Sequence, residues 1–190
     1  WLREKGCPWD RRTTHSAVIG GYLDVLKWLY AEGCPMRNIK YYNISANHGN
    51  LEIVKWYAES SHETLTNKTL EIAAERGHYN IVEWMTQNGF KIGFDIVNVA
   101  AEKGHLNLLK WARSKGFPLS DKTCYIAAKY GQLNILEWLL KKKCPYDYKK
   151  LYFSSKYDIR RNVHIQSWLA SEILNKNQIV DIMTDSAMYF

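Results

Sequence analysis

The chain has 190 residues, 46% of them hydrophobic and 14% aromatic, with a formal net charge of +7. That much apolar side chain excludes a disordered tail, because a continuous core can be buried. No apolar run reaches the ~18 to 20 residues that span a bilayer as a helix.

In chain order the elements repeat one plan. Trp1-Leu2 through Gly6-Cys7-Pro8 matches Trp28-Leu29 through Gly33-Cys34-Pro35, so the sequence is expected to begin inside a repeat, with further chain and any targeting signal upstream. A first helix then opens at Asp10, and the same position reads Asn38, Thr66, Gly93 and Ser120 in later repeats. All five are favoured N-cap types, which satisfy the free amides of a first helical turn. Mid-helix comes a small pair, Ala17-Val18, Ser45-Ala46, Ala73-Ala74, Ala100-Ala101 and Ala127-Ala128, which lets neighbouring helices approach. Gly21, Gly49, Gly77, Gly104 and Gly131 end that helix as left-handed caps.

A second helix follows, carrying Leu23, Val25, Leu26, Trp28 and Leu29 in one copy and Leu106, Leu108, Leu109 and Trp111 in another. The stripe is wide enough to touch both its own repeat and the next. Pro8, Pro35, Pro118 and Pro145 stop it. Trp28, Trp56, Trp84, Trp111 and Trp138 lie 28, 28, 27 and 27 residues apart. One ring per repeat predicts a buried row of indoles rather than a ligand box, and truncating one is expected to cost ~3 to 5 kcal/mol.

After Lys141-Lys142-Lys143 and Cys144-Pro145 the last unit diverges. Asp147 takes the N-cap place and Ser154-Ser155 the small pair, but Asp158 replaces the glycine. The reading places repeats over 1–158 and divergent capping helices over 159–190, including a short helix from Asn175 onward. An atypical end closes the exposed apolar face of a solenoid.

An Ala-Ala pair, two further residues, a glycine and an apolar second helix together resemble the ankyrin repeat. Glu75 to Trp84 (ERGHYNIVEW) and Glu102 to Trp111 (EKGHLNLLKW) carry the likeness. With Gly-Cys-Pro after the second helix, the chain is similar to the short-period ankyrin arrays of giant DNA viruses and protists. The resemblance implies an all-α, ankyrin-type helical repeat solenoid. The period here is shorter than the ~33 residues of the ankyrin unit, so its β-hairpin fingers are expected to be shortened or absent. It also implies a non-enzymatic scaffold that binds a partner protein through the concave, first-helix face. There the two residues before each glycine are exposed: Asn47 and His48, Glu75 and Arg76, Glu102 and Lys103, Lys129 and Tyr130, with Lys156 and Tyr157 in the last unit. A viral setting with host interaction belongs to the same implication.

Chemistry beyond binding finds little footing. No P-loop, GxGxxG, GxSxG or HExxH string is present, and the six histidines never pair at helical spacing, so no catalytic, cofactor-binding or metal residues are assigned. His78 and His105 are expected to hydrogen-bond locally in the turn after the glycine. Cys7, Cys34 and Cys144 share one repeat position; layers ~8 to 10 Å apart exceed the ~7 Å disulfide limit. Reduced thiols point to an intracellular, cytoplasmic protein. Asn43-Ile44-Ser45 and Asn67-Lys68-Thr69 are glycosylation sequons inside first helices, read as chance matches. Eight basic residues crowd Lys141 to Arg161 against Asp147 and Asp158, interleaved with tyrosines. A solvated end, an acidic patch on a protein partner, or nucleic acid each fits that charge. A basic nucleic-acid-binding array and a structural component of a viral particle are therefore the alternative readings; membrane binding is not expected.

Overall fold

The computed structural model describes residues 9–34, 40–60, 65–93, 95–156 and 159–175. Among them there are twelve helices and no strand, so the fold is an all-α helical-repeat solenoid, with no β-hairpin finger among the described residues. The chain divides into two compact units, Trp1–Phe94 and Asp95–Phe190. The first unit holds three hairpins. They pair α1 (Arg11–Ile19) with α2 (Leu23–Ala31), α3 (Tyr41–His48) with α4 (Leu51–Glu59), and α5 (Asn67–Glu75) with α6 (Tyr79–Gln87). The second unit pairs α7 (Ile96–Lys103) with α8 (Leu106–Ser114), α9 (Asp121–Lys129) with α10 (Leu133–Lys141), and α11 (Tyr148–Ser155) with α12 (Ile159–Asn175). First helices stack in sequence inside each unit, α1 on α3 on α5 and α7 on α9 on α11.

The first five hairpins turn the same way for the same reason. The small residue of the mid-helix pair lends its carbonyl to the amide five residues on: Tyr22 to Ala17, Asn50 to Ser45, His78 to Ala73, His105 to Ala100 and Gln132 to Ala127, all at 2.9 Å. That 6→1 bond needs a left-handed residue before its donor, and Gly21, Gly49, Gly77, Gly104 and Gly131 supply φ of 75° to 85°. Asp10, Thr66, Ser120 and Asp147 stand at the expected N-caps. Gly93 does not. α7 starts two residues later, where the Asp95 carboxylate accepts from the Asn98 amide, because a charged acceptor satisfies a first-turn N–H and glycine has none to offer. Asn38 and the helix expected after Asn175 lie outside the described residues.

The core is aliphatic rather than indole. Leu26 and Leu29, Ile53 and Val54, Ile81 and Val82, Leu108 and Leu109, and Ile135 and Leu136 are all 0 or 1% exposed, packed on the Ala pairs. Trp28, by contrast, is 48% exposed, and of the five repeat tryptophans Trp111 alone is fully enclosed. The expected row of buried indoles therefore fails. Two residues beyond Leu26, Trp28 sits ~160° round the helix from it, on the flank of the core stripe. Nor do the rings stack in file: Trp28 meets Trp9 at 5.2 Å, and Trp56 meets Tyr30 at 5.6 Å and Tyr57 at 4.8 Å.

What ties hairpin to hairpin is polar. The side chain following the capping glycine crosses to the last carbonyls of the preceding first helix. Asn50 Nδ2 donates to Val18 O at 2.7 Å, His78 Nε2 to Asn47 O at 3.2 Å, and Gln132 Nε2 to Glu102 O at 3.2 Å. Carbonyls in the last turn lack an intrahelical donor, so each bridge adds one, although Val18 O also accepts from the Gly21 amide at 3.3 Å. His78 thus reaches the neighbouring repeat rather than its own turn. A second link joins first helices directly: Thr69 Oγ1 donates to Asn43 Oδ1 at 2.8 Å and Thr123 Oγ1 to Asn98 Oδ1 at 3.0 Å. In the last hairpin, Asn162 Nδ2 donates to Lys129 O and to Ser155 O, both at 3.0 Å, binding α12 to α9 and α11.

Candidate partner-binding face

The first helices bury their Ala pairs, so the opposite side of each faces outward. Residues at i, i+4 and i+7 share one helical face, and three rows appear there. The row nearest the helix starts is Arg12, Lys40 and Lys68 in the first unit and Asp95, Lys122 and Lys149 in the second, all exposed. The row nearest the helix ends is Ile19, Asn47 and Glu75, then Glu102, Lys129 and Lys156. Between them run Ser16, Ile44 and Ile72, then Val99, Ile126 and Phe153. Ile44, Ile72, Val99 and Ile126 are half-buried, and Phe153 is 63% exposed. From α3 onward each unit therefore presents an apolar strip between polar banks, whereas α1 has Ser16 in the middle and Ile19 on one bank.

Of the residues expected to bind a partner, His48, Glu75, Arg76, Lys103 and Lys156 are exposed, while Asn47, Glu102, Lys129 and Tyr130 are half-buried. Tyr157 lies outside the described residues. Several are engaged with each other. Arg76 Nε donates to Asn47 Oδ1 at 2.7 Å, which joins the ends of α3 and α5. Lys103 pairs with Glu102 at 2.8 Å, and the Lys129 ammonium lies 5.4 Å from the Tyr130 ring centre. The Lys156 ammonium stands 4.9 Å from the Tyr152 ring and 5.5 Å from the Phe153 ring. The apolar strip and the basic row beside it were missed by reading only the pair before each glycine. Their signal is present in the sequence as Lys-x3-Ile at 40–44, 68–72 and 122–126 and Lys-x3-Phe at 149–153.

Charge along the face is uneven. α7 contributes Asp95, Val99 and Glu102, an apolar residue between two acids. α9 and α11 contribute Lys122, Ile126 and Lys129, then Lys149, Phe153 and Lys156. In the first unit the Glu71 carboxylate, hydrogen-bonded at 3.0 Å, holds the Lys68 ammonium above the ordinary lysine range. The Arg12 amide and guanidinium hold Asp10 below the ordinary carboxylate range. An open depression of about 410 Å³ beside Arg12 and Ser16 is lined by Trp9, Asp10 and Thr13 as well. Among the described residues, no cluster of three or more His, Cys, Asp or Glu is placed to hold a metal, and no helix is long and apolar enough to cross a membrane. Such a face offers side-chain contacts to another surface.

Residues 70–150 match the family model for ankyrin repeats, in three copies. No curated protein sequence matches the chain. Ankyrin repeats are generally protein–protein interaction modules. The matched span takes in α6 through α10, and α1 to α4 are built on the same small pair, left-handed glycine and cross-repeat bridge, so the chain carries ankyrin repeats over residues 70–150 and continues the same plan before them.

Proposed function

We propose that the chain is a non-enzymatic scaffold that holds a partner protein on the outward rows of its first helices. The observation that carries this reading is the apolar strip left open within each unit, Ile44 and Ile72 in the first and Val99, Ile126 and Phe153 in the second, flanked on both sides by polar and charged side chains. Interfaces of this make-up place an apolar centre inside a polar rim. Lysines at 122, 129, 149 and 156 favour a partner with an acidic patch, since complementary potentials steer encounter and exclude like-charged competitors. Buried thiols at Cys34, Cys124 and Cys144 support residence in a reducing compartment.

The test compares two charge-reversed forms of the whole chain in affinity capture. One carries Lys122→Glu, Lys129→Glu and Lys156→Glu on the first-helix face. The other carries Lys27→Glu, Lys110→Glu and Lys142→Glu, exposed residues on or just after second helices. Recovery of partner proteins should fall at least tenfold for the first set and stay within twofold for the second. Equal recovery from both sets would remove this face from consideration.

A further inference from the structure

We infer that the α9–α11 part of this face takes one kind of ligand: a partner segment presenting an apolar side chain with carboxylates on both sides of it. The inference rests on the proposed first-helix interface and specifies what that interface reads. α9 and α11 pack on each other, and each shows the same triad: Lys122, Ile126 and Lys129 on α9, Lys149, Phe153 and Lys156 on α11. At 1.5 Å rise per residue, the two lysines of a triad are ~10.5 Å apart along the axis. Neighbouring helices put the two triads ~8 to 10 Å apart. Four lysines thus stand at the corners of a square of roughly 10 Å, with Ile126 and Phe153 across its middle.

The middle is not a solvated accident of composition. Phe153 is 63% exposed, which leaves most of its ring uncovered beside the half-buried Ile126 and Tyr152. Lys156 lies near the Phe153 and Tyr152 rings, so the cation and the apolar surface share one site. Asp147 accepts from the Lys150 amide as the α11 cap, Asp121 accepts from the Lys122 amide, and Glu102 pairs with Lys103. An acidic segment without an apolar residue would leave Phe153 uncovered; an apolar segment without acids would bury lysines against nothing. Carboxylates spaced ~10 Å apart around one Leu, Phe or Tyr complement both features.

Selection of a displayed library of random 12-residue peptides on the full chain, followed by fluorescence anisotropy of the enriched peptides, tests this. Enriched sequences should place Asp or Glu on both sides of an apolar residue. Phe153→Ala should weaken the enriched peptides at least tenfold, as should Lys129→Glu with Lys156→Glu, and replacing the peptide's apolar residue with Ser should match the loss from Phe153→Ala. Circular dichroism of the variants should equal that of the unaltered chain and urea midpoints should stay close to it, because Phe153 and Lys156 are exposed and Lys129 is half-buried. Enrichment of acidic peptides that lack an apolar residue, bound equally by Phe153→Ala, would overturn the inference while leaving the broader interface standing. Enrichment of uncharged or basic peptides, or of none above the background of a chain carrying all four lysines reversed, would overturn it as well.

Discussion

Gly49 offers a direct measure of how hairpins are coupled. It ends α3 with φ of 78°, and a Cβ built on it would stand 2.7 Å from Cε1 and from Nδ1 of His78. That ring bridges repeats through Nε2 and the Asn47 carbonyl at 3.2 Å. Gly33 has φ of 73° and nothing within 4 Å of the corresponding point. Both Gly→Ala substitutions carry the left-handed penalty of ~1 to 2 kcal/mol, offset equally by ~0.4 to 1 kcal/mol from a stiffer unfolded chain. Gly49→Ala must in addition displace the imidazole. It forfeits a hydrogen bond worth ~0.5 to 1.5 kcal/mol and leaves a helix-terminal carbonyl in want of a donor. The extra cost is therefore about 1 to 2 kcal/mol. With a urea slope of ~1 to 3 kcal/mol per molar, the midpoint of Gly49→Ala should lie ~0.3 M or more below that of Gly33→Ala. In a His78→Ala background the two substitutions should cost the same, since the obstructing ring is gone. Equal costs in the unaltered chain, or a gap that survives removal of the imidazole, would refute the bridge as a coupling element.

The aliphatic core makes a second prediction. Leu26→Ala, at 0% exposure, should lower stability by ~2 to 5 kcal/mol through transfer and cavity terms. Trp28→Ala, at 48% exposure, removes roughly 100 Å² of buried ring and should cost ~2.5 kcal/mol or less. Urea unfolding ranks the two; the reverse order would restore an indole core. A third concerns alkaline pH. Burial pushes the Cys124 and Cys144 thiols above the ordinary range, and Cys144 Sγ donates to Ser120 O at 3.2 Å. A raised folded value means stability is fully present below the unfolded thiol value of ~8.5 and declines above it, by up to ~1.4 kcal/mol per pH unit for each thiol. Between pH 8.5 and 10 the urea midpoint should fall more steeply for the unaltered chain than for Cys124→Ala, and parallel slopes would contradict the burial argument.

The hairpins were legible because their determinants are local. A small residue, a glycine four later and an apolar helix specify one turn, and every such turn appears with its 2.9 Å closing bond. Thr66 and Ser120 reveal their caps for the same reason. Gly93 misled because glycine is permissive, whereas the acceptor that decides the start of α7 stands two residues on at Asp95. The tryptophans misled differently. A period identifies equivalent positions without saying which way they face, so a flank residue such as Trp28 repeats as faithfully as a core residue such as Leu26. The cross-repeat bridges are equally periodic, yet Asn50, His78 and Gln132 share no residue type. What they share is a donor able to span to a carbonyl some thirty residues earlier, and only the stacked helices bring that carbonyl within reach.

The proposed binding face shows the same limit from the other side. Ile44, Ile72, Val99 and Ile126 adjoin the Ala pair in sequence, so on hydropathy alone they read as core. One residue along an α-helix is a turn of ~100°, which carries them out of the interior and ~160° away from the second Ala of each pair. Their phase with the lysines at 40, 68 and 122 is four residues, the spacing that places side chains one above another on a single face. The net charge of +7 conceals this order, because the excess is not a diffuse coat. Two triads of α9 and α11 set lysines on both banks of an apolar strip, while the α7 triad of Asp95, Val99 and Glu102 keeps the strip and reverses the banks. An acidic partner segment that follows the apolar strip is attracted by two helices and repelled by the third. The second unit therefore marks where such a segment must end, and that boundary comes from charge alone, on a strip whose apolar middle continues unbroken beneath it.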